Sequence, residues 1–155
     1  MKLRTIALTV ALCVFGVSAC MASNPNMGTW KLNEAMSKLA PGATKNTTVV
    51  YTAAAGGMVK VTTDGTTSDG KPAHTEWTGK FDGKDYPVTG DPNSDTRSYK
   101  KLDDRTLEIT TKKGGKVISS GSIVVSPDGK SRTVSLTLSG SDGKTSTSTA
   151  VYDKQ

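Results

Sequence analysis

Short turn motifs recur along this chain at intervals that leave room for a single β-strand between them. Asp-Gly or Gly-Gly pairs lie at 56–57, 69–70, 82–83, 114–115, 128–129 and 142–143. Such pairs favour tight hairpins, because the centre of these turns requires positive φ angles. The intervening segments are rich in Thr and Val and alternate in polarity, as half-buried strands do. The pattern therefore predicts an all-β fold, an antiparallel up-and-down meander of about nine or ten strands.

The predicted strands follow directly from the turns. They cover residues 28–32, 47–54, 58–63, 72–81, 95–102, 105–112, 116–126, 131–139 and 144–152, and a further strand includes Thr66 and Thr67. The alternation is strictest in 131–139, where Val134, Leu136 and Leu138 fall on one face. Closing such a meander into a barrel removes its two exposed edges.

Only one segment after the N-terminal region has helical spacing. Asn33 is suited to helix capping, Met36, Leu39 and Ala40 share a helical face, and a Pro-Gly pair follows. We predict one short helix of about two turns after strand one, placed against the end of the barrel.

The N-terminus has the features of a secretory signal peptide. Lys2 and Arg4 precede an apolar stretch from Ile6 to Val17, which is too short to span a membrane as a helix. The run Val17-Ser18-Ala19-Cys20 resembles the lipobox of bacterial lipoprotein precursors. That resemblance implies cleavage before Cys20 and lipidation of this residue, whereas ordinary signal-peptidase cleavage after Ala19 is the alternative. We predict a signal peptide over 1–19, a lipidated tether over 20–27 and a β-barrel domain over 28–155.

Cysteine usage favours the lipid anchor. The chain has two cysteines, and Cys13 lies within the predicted signal peptide, so no disulfide can form in the mature domain. Cys20 is then a lone cysteine at the start of an exported chain, which suits an anchor. The residue after it, Met21, resembles the pattern of lipoproteins sent to the outer membrane. We expect a bacterial envelope protein that faces the periplasm and meets the membrane only through its lipid.

The charge pattern argues against nucleic-acid binding. Without Lys2 and Arg4 the chain has 18 basic and 14 acidic residues. These are dispersed among the turns, whereas a nucleic-acid face needs a dense basic stripe. The sequence does not indicate a protein partner.

The two ends of the predicted barrel resemble a known group. Gly28-Thr29-Trp30-Lys31-Leu32 and Val151-Tyr152-Asp153-Lys154 resemble the termini of calycins, most closely the intracellular fatty-acid-binding proteins, and the chain is also similar to small bacterial lipocalin-like envelope proteins of unassigned role. The resemblance implies a closed barrel in which the first and last strands pair, the tryptophan packs near the closed end, and a ligand lies inside.

Two departures limit what this resemblance implies. Fatty-acid-binding proteins have a helix-turn-helix lid after strand one. Here the segment after strand one has room for only about two turns of helix. Their carboxylate-binding Arg-x-Tyr motif is replaced by Ala150-Val151-Tyr152. A buried fatty-acid carboxylate without that cation is costly, so fatty-acid binding is not expected here.

The candidate ligand site is the one long interruption of the hairpin pattern, residues 85–94. Long loops on rigid scaffolds are enriched in function, although this one also suits a strand corner that closes the barrel. We predict Trp77, Tyr86, Arg97 and Tyr99 as ligand-binding residues at a barrel mouth, with core packing as their alternative role.

The last strand leaves the nature of the interior open. Ser146, Ser148, Ala150 and Tyr152 share one face, and neither face of this strand is strongly apolar. Either this wall lines a polar cavity or it is lightly packed.

No catalytic or metal-binding constellation is present in the sequence. His74 is the sole histidine, and no His/Cys/carboxylate cluster or Gly-x-Ser-x-Gly motif occurs. Asp91-x-Asn93-x-Asp95 imitates the start of a calcium loop, but Thr96 and Leu102 replace the required Gly and Glu, so an Asx turn is favoured. We expect a non-catalytic protein without cofactor or metal that binds a small or amphipathic ligand, or alternatively a structural or protein-interaction module with a filled barrel.

Overall fold

Ten strands make up 85 of the 131 residues that the computed structural model describes, residues 24–140 and 142–155. The predicted signal peptide and Cys20 lie outside the described residues. The strands are β1 (Gly28–Lys38), β2 (Lys45–Ala54), β3 (Met58–Thr66), β4 (Pro72–Gly79), β5 (Tyr86–Thr89), β6 (Thr96–Lys101), β7 (Thr106–Lys113), β8 (Lys116–Val125), β9 (Ser131–Ser139) and β10 (Thr145–Lys154), with one 3₁₀ turn at Ala55–Gly57.

The strands form a closed antiparallel barrel, as the turn pattern predicts. Each strand pairs with its neighbours in sequence, and β1 pairs with β10 to complete the circle. Trp30 lies opposite Lys154, and Leu32 lies opposite Tyr152. Trp30 is fully buried at this seam, and its Nε1 atom donates a hydrogen bond to the carbonyl of Asn26 at 2.8 Å. The pairing of the two ends, predicted from the resemblance, is therefore confirmed.

The short helix predicted after strand one is not formed. Residues 34–37 instead make a bulge in β1, because pairing with β10 shifts between Asn33 and Lys38. Side chains bridge the interruption: Asn33 Oδ1 accepts a hydrogen bond from the Met36 amide at 3.2 Å, and Ser37 Oγ accepts one from the Val151 amide at 2.9 Å. Met36 is 64% exposed, so this segment has no apolar helical face to bury.

The loop predicted over 85–94 contains a short strand, β5, which the sequence pattern missed. It pairs with β4 only through Glu76–Thr89 and Trp77–Val88, and β6 lies on its other side. The remaining residues of the loop turn at the rim of the barrel. The separate strand predicted around Thr66 and Thr67 is absent, since Thr66 ends β3.

Residues just before β1 pack on the barrel. Asn26, within the predicted tether, is 1% exposed, and Lys154 Nζ donates a hydrogen bond to the carbonyl of Pro25 at 3.0 Å. Within the described residues, no helix is long and apolar enough to cross a membrane.

Candidate functional site

The barrel encloses a cavity of about 290 Å³ between its walls. It opens towards a rim recess of about 490 Å³, and the two share Asn46, Thr63 and Arg97 among their lining residues. The inward face of β10, namely Ser148, Ala150 and Tyr152, lines the cavity. The last strand therefore faces a cavity, to which it contributes the polar side chains of Ser148 and Tyr152 beside Ala150.

Arg132 is the most unusual residue of this cavity. It is the second residue of β9, lies opposite Tyr152 on β10 and Val125 on β8, and is 2% exposed. Its guanidinium carbon lies 4.7 Å from the centroid of the Trp30 ring, 4.9 Å from that of Tyr51 and 5.0 Å from that of Tyr152. Aromatic faces attract cations at such distances, so three rings hold this guanidinium in place.

The guanidinium of Arg132 lacks the partners that a buried cation usually has. Its Nε and Nη1 atoms are buried without a hydrogen-bond partner, and no ion pair among the described residues involves it. A buried charge of this kind is costly unless it is paired. Arg132 lines the cavity, so an anion bound there would lie beside an unpaired positive charge.

Arg97 and Tyr99 bring a second cation and a phenol to the same cavity. They are two residues apart on β6, and both line the cavity. Arg97 Nε is buried without a partner. Burial acts against its charged form, but Tyr99, Tyr51 and Asp91 more than offset this and raise the pKa of Arg97 above its usual value. Arg97 thus stays charged within the barrel.

Tyr51 and Tyr152 stay neutral at physiological pH, because the pKa of each is raised. Burial is the main cause that raises the pKa of Tyr51, reinforced by Tyr99 and opposed by Arg132. Burial likewise raises the pKa of Tyr152 to about 12, and its hydroxyl donates a hydrogen bond to the carbonyl of Asn46 at 3.1 Å. The rings of Tyr51 and Tyr99 meet edge to face, with centroids 6.4 Å apart. These phenols link the surroundings of Arg132 to those of Arg97.

One wall of the cavity is apolar, in contrast to the guanidiniums and phenols. Val134, Leu136 and Leu138 line the cavity in alternate positions of β9, as their strict alternation predicts. Leu39, from the segment after the β1 bulge, also lines it. The cavity thus combines two guanidiniums with a surface suited to an aliphatic or aromatic ligand body.

The rim contains the only carboxylate that lines this cavity in the described part of the chain, that of Asp91. Its Oδ1 accepts a hydrogen bond from the Asn93 amide at 2.9 Å, and its Oδ2 accepts one from Ser94 Oγ at 2.6 Å. Asp95 Oδ2 instead accepts from the Gly114 amide at 2.7 Å. Asp91 thus stabilises its own loop, as the favoured Asx-turn interpretation predicts, whereas Asp95 fastens the turn between β7 and β8.

Trp77 and Tyr86 lie outside the cavity lining. Trp77 packs against Phe81, Tyr86 and Tyr99, with ring centroids 6.3, 5.7 and 4.7 Å away, respectively. Its Nε1 atom donates a hydrogen bond to the Arg97 carbonyl at 2.8 Å, and the Tyr86 hydroxyl donates one to Asp82 at 3.0 Å. The structure places Trp77 in the core and the partly buried Tyr86 against it, beside the site, and contact of either residue with a ligand stays a prediction. Arg97 and Tyr99 are the predicted site residues that face the cavity.

His74 is exposed on the outer surface of β4, as the sequence indicates. Its Nδ1 lies 2.6 Å from Asp64 Oδ1, and its Nε2 lies 3.5 Å from Glu76 Oε1. Hydrogen bonds to these carboxylates, that to Asp64 first, raise the pKa of His74. Among the residues that the structure describes, no group of three or more His, Cys, Asp or Glu side chains is placed to hold a metal ion.

Arg132 was missed by the sequence analysis, although a signal for it exists. It stands in phase with Val134, Leu136 and Leu138, so the apolar alternation itself assigns it to the inward face. A cation in such a position is rare without a partner. The place of Arg132 in the apolar alternation, and not the Arg-x-Tyr motif at the C-terminus, is therefore the signal that predicts a buried cation.

Two solved structures are similar to this chain over most of its length. A redesigned beta barrel, mFAP1, bound to DFHBI, matches with 18% identity over 84% of this chain and 95% of that chain, at a TM-score of 0.48. EF1p2_mFAP2b bound to DFHBI matches with 15% identity over 86% of this chain and 97% of that chain, at a TM-score of 0.47. No protein-family model matches the chain, and no curated protein does.

Proposed function

We propose that this barrel binds a small amphipathic anion in its interior, without catalysis. The observation that supports the proposal is the guanidinium of Arg132, buried in the cavity lining with Nε and Nη1 unpartnered. An anionic group on a ligand supplies the missing charge and acceptors, and the apolar wall of β9 covers the ligand body. Tyr51 and Tyr99 offer further donors beside it.

The test is a direct binding titration of the protein with an amphipathic anionic fluorophore, anilinonaphthalene sulfonate. We expect the wild type to enhance its fluorescence and Arg132→Met to lose most of this response, because the variant keeps an unbranched apolar side chain and removes the charge. Arg105→Met is the matched control, since Arg105 is exposed and outside the cavity lining. Equal binding by all three proteins contradicts an internal anion site. Recovery of a bound ligand unchanged, by mass spectrometry, tests the absence of catalysis.

The cellular placement belongs to the same proposal. The lipobox-like run that ends at Cys20 supports a lipid anchor in the bacterial envelope, with the barrel facing the periplasm, and the outer membrane as its location. We expect the membrane-extracted protein to begin at a lipid-modified Cys20, as measured by mass spectrometry. An unmodified mature chain released into the periplasm contradicts the anchor but leaves the ligand proposal intact.

A further inference from the structure

The cavity carries more positive charge than a single carboxylate can balance. Arg97 and Arg132 both line it, and no ion pair in the described part of the chain involves either one. Asp91 is the acidic residue at the rim, and its two oxygens accept hydrogen bonds from Asn93 and Ser94. The interior therefore retains an excess of positive charge.

The two guanidiniums reach the same cavity from different strands. Arg97 lies on β6 and Arg132 on β9, three strands apart in a closed sheet of ten. Tyr51 connects them: its ring lies 4.9 Å from the Arg132 guanidinium carbon and 6.4 Å from the Tyr99 ring. Tyr99 in turn is two residues from Arg97 on the same face of β6.

This cluster offers more donors than one carboxylate can accept. Each guanidinium has five N–H donors, and the phenols of Tyr51 and Tyr99 add one each. A carboxylate has two oxygens and one charge, whereas a phosphate monoester has three terminal oxygens and a charge close to −2 above pH 7. Guanidinium forks match the oxygens of phosphate groups especially well.

We propose that the ligand head is a dianionic phosphate monoester held between Arg97 and Arg132, with an apolar body against Val134, Leu136 and Leu138. This inference rests on the proposed function, an internal site for amphipathic anions, and specifies its chemical class.

A series of ligands with one common chain tests the head group alone. Isothermal titration calorimetry at pH 8 compares decyl phosphate, methyl decyl phosphate, decyl sulfate, decanoate and decanol, each below its micelle concentration. Methyl decyl phosphate keeps the tetrahedral phosphorus but has only one charge. We expect decyl phosphate to bind at least about tenfold more tightly than methyl decyl phosphate or decyl sulfate, since a charged hydrogen bond contributes about that factor.

Inorganic phosphate is the arm that separates a free anion from a lipid-like ligand. We expect it to bind much more weakly than decyl phosphate, because it leaves the β9 wall uncovered. Equal affinity for the two overturns the apolar-body part of the proposal.

A charge-removing variant provides the second readout. In Arg97→Met, the preference for decyl phosphate over methyl decyl phosphate should disappear, while both still bind through Arg132. Arg105→Met should keep the wild-type preference. Thermal melts of each variant establish that the barrel is folded, and the wild-type series needs no variant at all.

The outcomes separate this inference from the proposed function. Decanoate that binds as tightly as decyl phosphate overturns the dianionic head and leaves the anion site standing. Decanol that binds as tightly as every anion overturns both. A preference for decyl phosphate that survives Arg97→Met shows that the second guanidinium takes no part, and overturns the two-cation site.

Discussion

Replacing Arg132 by methionine should stabilise the ligand-free barrel. Taking a cation out of water costs several kcal/mol, and each unpaired buried polar group costs about 1–3 kcal/mol. Three aromatic rings lie within 4.7–5.0 Å of the guanidinium carbon and compensate by about 0.5–2 kcal/mol each. Methionine removes both contributions and keeps the aliphatic packing. Because charge burial outweighs the ring contacts in this sum, we expect Arg132→Met to raise the free energy of unfolding by about 1–3 kcal/mol.

The assay is equilibrium unfolding in the denaturant guanidinium chloride. The protein is first unfolded and refolded to remove any co-purified ligand. A gain of 1 kcal/mol corresponds to a rise in Tm of about 3–5 °C for a domain of this length. Arg105→Met is the control, and as an exposed substitution it should stay within about 0.5 kcal/mol of the wild type.

A loss of stability in Arg132→Met would refute the reasoning. The guanidinium would then be a structural element held by Trp30, Tyr51 and Tyr152, and the alternative of a filled structural barrel would gain support. If the site is destabilised without its ligand, Arg132→Met should instead gain stability and lose anion binding together. The single substitution therefore discriminates between the two functions considered for this chain.

Three further perturbations test the fold and its surface. Deleting residues 150–155 should abolish cooperative melting, because it removes the β10 partners of β1; a truncated protein with the wild-type Tm would show that the seam is dispensable. Gly79→Ala should destabilise by about 1–3 kcal/mol, measured by chemical denaturation, because a Cβ there would lie 2.5 Å from the Tyr86 ring and 2.6 Å from Trp77. The raised pKa of His74 means that its contacts stabilise the fold below the unfolded pKa of about 6.5 and that this contribution is lost as pH rises through the folded value. His74→Asn should therefore reduce stability more at pH 5.5 than at pH 8.5, and an equal effect at both would contradict the assignment.

The barrel was predictable from the sequence because its turns are encoded locally. Gly83, Gly115, Gly129 and Gly143 all adopt the positive φ that the hairpin turns need, so each turn position marks the end of one strand and the start of the next. The predicted strand over 131–139 is identical to β9, and most other predicted strands differ from the observed ones by one or two residues at an end. Closure followed from pairing the two termini.

The segments that failed are those where tertiary contacts decide the conformation. Residues 33–40 have helical spacing, but Ser37 and Asn33 side chains satisfy the backbone groups of the bulge, and Leu39 turns into the cavity. In β5, Pro87 removes a backbone donor, which is unusual in a strand. The strand has only four residues and few pairs, so its alternation is too short to be recognised in the sequence.

The buried cation of the cavity, Arg132, does not lie at the position that the resemblance indicated. The resemblance to fatty-acid-binding proteins drew attention to the residue two before Tyr152, which is Ala150, and indicated that no guanidinium was available there. In a closed barrel, however, neighbouring strands present their inward side chains side by side, and Arg132 on β9 lies directly opposite Tyr152 on β10. Its guanidinium lies 5.0 Å from the Tyr152 ring, so a cation and a phenol meet across two strands instead of along one. A motif defined by sequence spacing cannot detect this arrangement, whereas the register of a β-ladder specifies it, because opposite residues on one face are neighbours.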